Sequence, residues 1–333
     1  MPPAPGSSDP PAAPRQGLEI RRTADGSFSL WSEPFAEGFH SGRGAVREAR
    51  ETFLAPAELS RFARGSTLTV VEVCVGTASN TAALLEACAD QGLRLEWWGL
   101  ELDAEPLRLA LADAAFRGQW RREALEPLQQ LQRDSHWQSS LGQGWMLWGD
   151  ARRTVQTLPV PLQGGVQLVL HDAFSPRHCP QLWTMEFLGD LGRLLAPQGR
   201  LISYCSAAAV RQGLQLAGLE LAAIPAQDTL HQGSGSSPPR QAWSGGTVAS
   251  PRPLAASAWL RQLTPMEQEH LATSAAEPYR DPQRNAEAAT ILANRSTAQA
   301  AGLANGSLSP SSAWRRRWGL ALTRQPAGTR RTA

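Results

Sequence analysis

Acidic residues close a series of apolar runs in this chain, in a regular order. "VVEVCVGTASN" carries Gly76 in a turn, "WGLELD" ends on Glu101 and Asp103, "WGDA" holds Asp150, and "LVLHDAFSPRHCPQLWT" breaks at Asp172. A carboxylate offers two acceptor oxygens and can take both hydroxyls of a ribose, a role open to Glu101 or Asp103. Register favours Glu101, directly at the strand end; Asp103 equally suits a charge at a helix N-terminus. Asp150 can accept from an adenine amino group, cap the helix after it, or do both. Gly76 permits close backbone approach, and the helix start behind it supplies amide donors. Together these strand ends describe a nucleoside-binding edge. Asp172, at the next strand end, then faces the reacting group, with Phe174 as a wall and Pro176 stiffening the loop. The competing role for Asp172 is a turn cap. His171 reads as a core histidine, and Trp183 as packing. There is no GxGxxG and no GK[ST], which disfavours a nicotinamide enzyme and a P-loop NTPase.

These residues need a scaffold that brings strand ends to one edge. From Thr67 onward strands and helices alternate: "LTVVEVCV", "LRLEWWGLEL", "GWMLWGD", "VQLVLHD", "GRLISYCS" and "LELAAI" read as strands, with helical runs between them. The helix in "NTAALLEACADQG" is expected to start at Asn80 and stop near Gly92. Strands apolar on both faces suit a parallel sheet covered by helices. "QAWSGGTVAS" is a candidate last strand. Ahead of the alternation, Asp25-Gly26 marks a β-hairpin, and a helical spacing of Ala45, Ala49, Phe53 and Leu54 follows. The expected organisation is a disordered 1–16, a small β-containing segment over 17–65, an α/β domain over 66–255 and an extension over 256–333. The extension is expected to be partly helical with a basic, disordered end.

Composition narrows the class. The 333 residues are 42% apolar, and the 32 basic residues are all arginine, for a formal net charge of +2. Any phosphate contact must therefore use Arg, a good bidentate donor. Cys74, Cys88, Cys179 and Cys205 form no CxxC pair and no metal-ligand spacing with histidine, so reduced thiols and no metal are expected. The first residues lack the apolar core of a signal peptide, and no run reaches membrane-span length, so a soluble, cytoplasmic protein without membrane partners is expected.

The motifs "DAFSPRHCPQLWT", "LAPQGRL" and "SAAAVRQGL", in that order and spacing, resemble the methyltransferase domain of the MnmC family of bacterial tRNA wobble-uridine modification enzymes. "TADGSFSLWSEPFAEGFHSGRGAVREA" is similar to the N-terminal segment of its stand-alone members. The resemblance runs over residues 18–250 and includes no oxidoreductase domain. It implies a class I, Rossmann-like fold, S-adenosyl-L-methionine as cofactor, and N-methylation of 5-aminomethyl(-2-thio)uridine at the tRNA wobble position. The implied partner is the anticodon stem-loop. Carried over, the cofactor set is Glu72, Gly76, Thr77, Asn80, Glu101 or Asp103, Asp150 and Asp172; the catalytic loop is Asp172 with Phe174; the tRNA-facing set is Arg177, Tyr204, Arg211 and Arg240. The "RRR" at 315–317, flanked by Trp314 and Trp318, is a further basic candidate. Two glycines of the family loop are Cys74 and Ala78 here, and a positive φ at Ala78 would strain it. The alternatives are a methyltransferase acting on a small amine, or a binding module without turnover.

Overall fold

The structure, a computed structural model, describes residues 17–226 and 243–320. The expected disorder of 1–16 and the Arg240 assignment lie outside the described residues.

Strands β1 (Leu18–Arg22), β2 (Phe28–Ser32) and β3 (Glu37–Gly38) form a small antiparallel sheet, with Asp25-Gly26 in the β1–β2 turn. Helix α1 (Ala45–Glu48) continues through a wide π-helical stretch, Ala49–Leu54. The main sheet then begins with β4 (Thr67–Val73), helix α2 (Ser79–Gln91), β5 (Arg94–Glu101) and helix α3 (Glu105–Ala112). Helix α2 begins one residue before Asn80 and ends on Gly92, whose φ of +66° is the left-handed conformation a helix C-terminus uses.

A short helix α4 (Ala114–Gly118) leads to α5 (Arg122–Asp134) and β6 (His136–Ser139), which lie in a span where the sequence shows no clear strand–helix alternation. The helical spacing of buried Ala124, Leu128 and Leu131 in α5 is interrupted in the sequence by Pro127. Strand β7 (Gly142–Trp148), α6 (Ala151–Thr154), β8 (Val166–His171), α7 (Met185–Leu194), β9 (Leu195–Ser203), α8 (Ala208–Leu216), β10 (Glu220–Pro225) and β11 (Ser244–Ser250) complete the sheet.

Its order is β10-β11-β9-β8-β4-β5-β7-β6. The five central strands pair in parallel, while β11 inserts antiparallel between β9 and β10, and β6 caps the other edge antiparallel. This is the mixed α/β, mostly parallel architecture read from the sequence. From β4 the chain moves outward through β5 to β7, then returns to the other side of β4 for β8 and β9. The point of reversal, at the carboxyl ends of β4 and β8, is where open α/β sheets bind ligands.

Strand alternation splits the interior into two cores. Leu68 and Val70 of β4 pack with Leu84 and Leu85 of α2, Leu128 of α5 and Phe28, Leu30 and Phe53 of the N-terminal segment. Val71 and Val73 join Phe187 and Leu191 of α7, Val210 of α8, and Tyr279 and Ile291 of the extension. Each flanking segment thus completes a core on one face of the sheet.

The extension holds α9 (Pro265–His270), α10 (Ala288–Ala304) and α11 (Ser311–Arg317). The expectation of a disordered basic end is corrected as far as residue 320. Trp314 is 4% exposed, donates Nε1 to the Met266 carbonyl at 2.9 Å and stacks on His270, which fixes α11. Arg317 pairs with Glu269 at 3.1 Å. No described helix is long and apolar enough to cross a membrane.

Candidate active site

The carboxyl ends of β4, β5, β7 and β8 open into one cavity of about 650 Å³. Gly76, Thr77, Glu101, Asp103, Asp150, Asp172, Phe174 and Tyr204 all line it, as do Phe35, Glu37, Phe39, His40 and Glu48 of the N-terminal segment. The sequence reading missed this second group. The stretch that holds the first four, "EPFAEGFH", mixes rings and acids without periodicity, and Glu48 closes α1 beyond it.

Glu101 organises the cofactor edge. Its Oε2 accepts from the Gly76 amide at 2.8 Å, and its Oε1 from Leu102 and Asp103 amides at 2.6 and 3.0 Å. Burial pushes its carboxyl up, and these amides pull against that shift. Asp103 accepts from the Glu105 amide at 3.0 Å, at the start of α3. Asp150 caps α6 through the Arg152 amide at 3.0 Å and also binds the Arg152 guanidinium, with Nη2 at 2.6 Å. Arg152 reaches on to Asp281 and the Ala286 carbonyl at 2.8 and 2.9 Å, so the extension braces this corner.

The β4–α2 loop contains the anticipated strain. Cys74 and Ala78 have φ of +62° and +63°, and Gly76 has +56°. A Cβ on Gly76 would lie 3.1 Å from the Phe39 ring. At Ala78 the left-handed backbone costs about 1–2 kcal/mol. Against this stand about 0.8 kcal/mol for its buried methyl and about 0.4–1 kcal/mol for reduced unfolded-state entropy relative to Gly. The terms nearly cancel, which explains how alanine is tolerated. Ala78→Gly is expected to change unfolding free energy in urea by no more than about 0.5 kcal/mol; a gain well above that would mean the strain is uncompensated.

Asp172 accepts at Oδ2 from Asn80 Nδ2 at 2.8 Å, and its amide donates to the Val73 carbonyl at 3.2 Å. Burial, reinforced by the charge of Glu48, holds its carboxyl well above the ordinary range. The loop after it is pinned from three sides: Tyr204 Oη donates to the Ala173 carbonyl at 2.8 Å, Trp183 Nε1 to the Phe174 carbonyl at 2.7 Å, and Ser175 N and Oγ to Glu37 at 2.9 Å. Phe35 stacks on Phe174 at 4.7 Å, and Phe39 meets it edge-on at 5.1 Å.

Three assigned residues do not fit their assignments. Glu72 is fully buried beneath the loop, where its Oε2 accepts from Thr81 Oγ1 at 2.8 Å and Trp97 Nε1 at 2.9 Å, and burial pushes it up to about 7. It braces β4 to α2 and β5 and does not line the cavity. Asn80 likewise stays outside the lining and positions Asp172. Arg211 is 2% exposed and is spent on Thr247, Ser244, the Gly246 carbonyl and Glu267, so it offers nothing to a phosphate. Arg177 is exposed on the loop after Asp172 and outside the cavity.

His171 is a core residue, as read. It is fully buried, lies 3.0 Å from the Leu182 carbonyl through Nε2, and meets Trp183 edge-on. Burial pushes it down to about 4. The unfolded chain therefore takes the proton first as pH falls from 6.5 towards 4, and stability present above that window is lost across it, by about 3 kcal/mol. His171→Leu is expected to flatten the acid limb of stability, read by urea unfolding at pH 7 and pH 5. Parallel slopes in the two proteins would exclude His171 as its source.

The cavity is acidic. Glu37, Glu48, Glu101, Asp103, Asp150 and Asp172 line it, and the one lining guanidinium among the described residues, Arg152, is neutralised by Asp150 and Asp281. Such a site favours a cation and repels a pyrophosphate.

Residues 120–228 match a family described as S-adenosyl-L-methionine-dependent methyltransferase. The chain is 31% identical over 252 residues to the tRNA 5-methylaminomethyl-2-thiouridine biosynthesis bifunctional protein MnmC of Pseudomonas aeruginosa (strain UCBPP-PA14), covering 70% of this chain and 36% of that protein. The crystal structure of MNMC2 from Aquifex aeolicus superposes with a TM-score of 0.66 at 25% identity, over 86% of this chain and 84% of that one. This is an MnmC-like, S-adenosyl-L-methionine-dependent methyltransferase. It spans about a third of the length of the bifunctional relatives it matches. An uncharacterized protein, MJ0670 of Methanocaldococcus jannaschii, is 27% identical to the methyltransferase over 199 residues, 58% of this chain and 51% of that protein.

Proposed function

We propose that this methyltransferase N-methylates 5-aminomethyl(-2-thio)uridine at the tRNA wobble position, giving the 5-methylaminomethyl form. The observation that carries this reading is the acidic cavity in which Asp172 and an aromatic wall meet the Glu101 edge. The name of the bifunctional relatives, as tRNA 5-methylaminomethyl-2-thiouridine biosynthesis proteins, supports it.

The residues present fit the cofactor. Glu101 would take a ribose hydroxyl on Oε2, where the Gly76 amide leaves a lone pair free, Asp150 would face the adenine, and Gly76 and Thr77 would line the methionine side. S-adenosyl-L-methionine, when bound, supplies an electrophilic methyl group on a cationic sulfur. The protein must then orient a neutral amine. Asp172 attracts the ammonium form, accepts its N–H and takes up the released proton. Its raised pKa makes it a better base than an exposed aspartate. Phe174, Phe35 and Tyr204 wall a base turned out of the anticodon loop. Exposed Arg177 is the proposed phosphate contact beside the mouth, and the cytoplasm is the proposed compartment.

Incubation with tRNA carrying 5-aminomethyluridine, followed by nucleoside mass spectrometry, tests the reading. Conversion to 5-methylaminomethyluridine is expected. Methylation of free small amines with none of tRNA would overturn it.

A further inference from the structure

We propose that Glu48 and Asp172 form a two-carboxylate clamp for a primary amine, and that this clamp stops the reaction after one methyl group. The proposal rests on the amine-methylation reading above and goes beyond it by assigning a substrate-binding residue on the N-terminal segment and a limit on product.

Both acids keep an unspent acceptor oxygen in the cavity. Of the cavity acids, Glu101 is occupied on both oxygens by backbone amides and Asp150 by Arg152, while Glu37 is tied through one oxygen to Ser175 on the Asp172 loop and Asp103 through one oxygen to the start of α3. Glu48 and Asp172 are likewise held through one oxygen each. Glu48 accepts at Oε2 from the Ser41 amide at 2.9 Å, and Asp172 at Oδ2 from Asn80. Among the described residues neither forms an ion pair, and Glu48 Oε1 and Asp172 Oδ1 have no protein hydrogen-bond partner. The arginines near Glu48 are directed elsewhere: Arg47 binds Glu51 at 2.9 Å and Arg43 lies 3.8 Å from the same carboxylate. The two acids come from different elements, α1 and the end of β8, yet line one cavity, and the charge of Glu48 is felt at Asp172, Tyr204 and His40.

A neutral primary amine has two N–H donors and one lone pair. Two acceptors holding both N–H groups leave the lone pair in one direction only. A methylated amine keeps one N–H. To present its lone pair again it must set a methyl group against one of the carboxylates, which then stays buried without a partner, an arrangement worth a factor of about 10–100 in affinity.

The test uses two anticodon stem-loop RNAs, one carrying 5-aminomethyluridine and one 5-methylaminomethyluridine, with binding followed by fluorescence anisotropy in the presence of S-adenosylhomocysteine. Wild type is expected to prefer the aminomethyl RNA by about 10-fold or more. Glu48→Gln keeps the Ser41 contact and loses the charge; it should erase most of that preference and, in long incubations read by mass spectrometry, give a dimethylated nucleoside. A Glu48→Gln protein that keeps the wild-type preference and still stops at one methyl overturns the clamp. Calorimetry with benzylamine and N-methylbenzylamine repeats the comparison without RNA. If neither RNA binds but wild type still prefers benzylamine and Glu48→Gln does not, the tRNA reading fails and the clamp stands. A wild type indifferent to amine substitution in both assays sinks the clamp alone.

Discussion

Asp172→Asn should slow methyl transfer by about 10²–10⁴-fold while S-adenosyl-L-methionine binds almost as in wild type. The carboxylate is placed to accept an amine N–H and proton; the amide keeps the shape, the Asn80 contact and the cavity wall, and loses only the charge and the basic oxygen. The same substitution has an opposite effect on stability. Burial holds the folded Asp172 carboxyl above its unfolded value. Between those two values the unfolded chain has already lost the proton that the folded protein keeps, so stability falls as pH rises through the window and the deficit persists above it. Asp172→Asn removes that deficit, so the variant should be the more stable protein at pH 7 by urea unfolding. In wild type the rate should climb with pH along an acid limb above the ordinary carboxylate range, because only the ionised form accepts a proton. Full turnover in the variant would refute the role. A variant both slower and less stable would point to a structural cap instead.

The residues that end strands were legible because strand geometry makes them so. A buried parallel strand is a short apolar run, and the first polar residue after it falls at the sheet edge, which is how Glu101, Asp150 and Asp172 are found. The inward or outward turn of a side chain one or two positions away is a tertiary property. Glu72 lies on β4, two residues before Cys74 of the loop, and its carboxyl turns under α2 to Thr81 and Trp97 instead of into the cavity. Arg211 sits on an amphipathic helix whose arginine reads as a surface charge until Glu267, from the extension, is seen packed behind it. The N-terminal wall of Phe35, Glu37, Phe39 and Glu48 was hidden for the same reason: these residues matter through a long-range contact with the Asp172 loop, and nothing in their local spacing encodes it.

Glu101 and Asp103, which the sequence leaves as alternatives for the ribose, should separate sharply by calorimetric titration with S-adenosyl-L-methionine. Glu101→Gln is expected to weaken binding by about 10–100-fold, the scale of losing hydrogen bonds to a charged acceptor. Its effect has two sources. The Glu101 carboxylate accepts from Gly76 on one oxygen and from Leu102 and Asp103 on the other, so whichever way a glutamine amide is turned, its NH₂ meets a backbone N–H. That repulsion frees the β4–α2 loop at Gly76, which must stay close to the ligand, and the variant also loses the charge that strengthens the ribose contact. Asp103→Asn keeps an acceptor for the Glu105 amide and disturbs only the start of α3, so its affinity should stay near wild type. With saturating cofactor, the Glu101→Gln protein should recover most of its turnover, since the amine-holding groups at Asp172 are untouched. If Asp103→Asn were the more damaging change, the ribose would belong to Asp103, and Glu101 would be a loop brace whose three amide contacts exist to shape the turn.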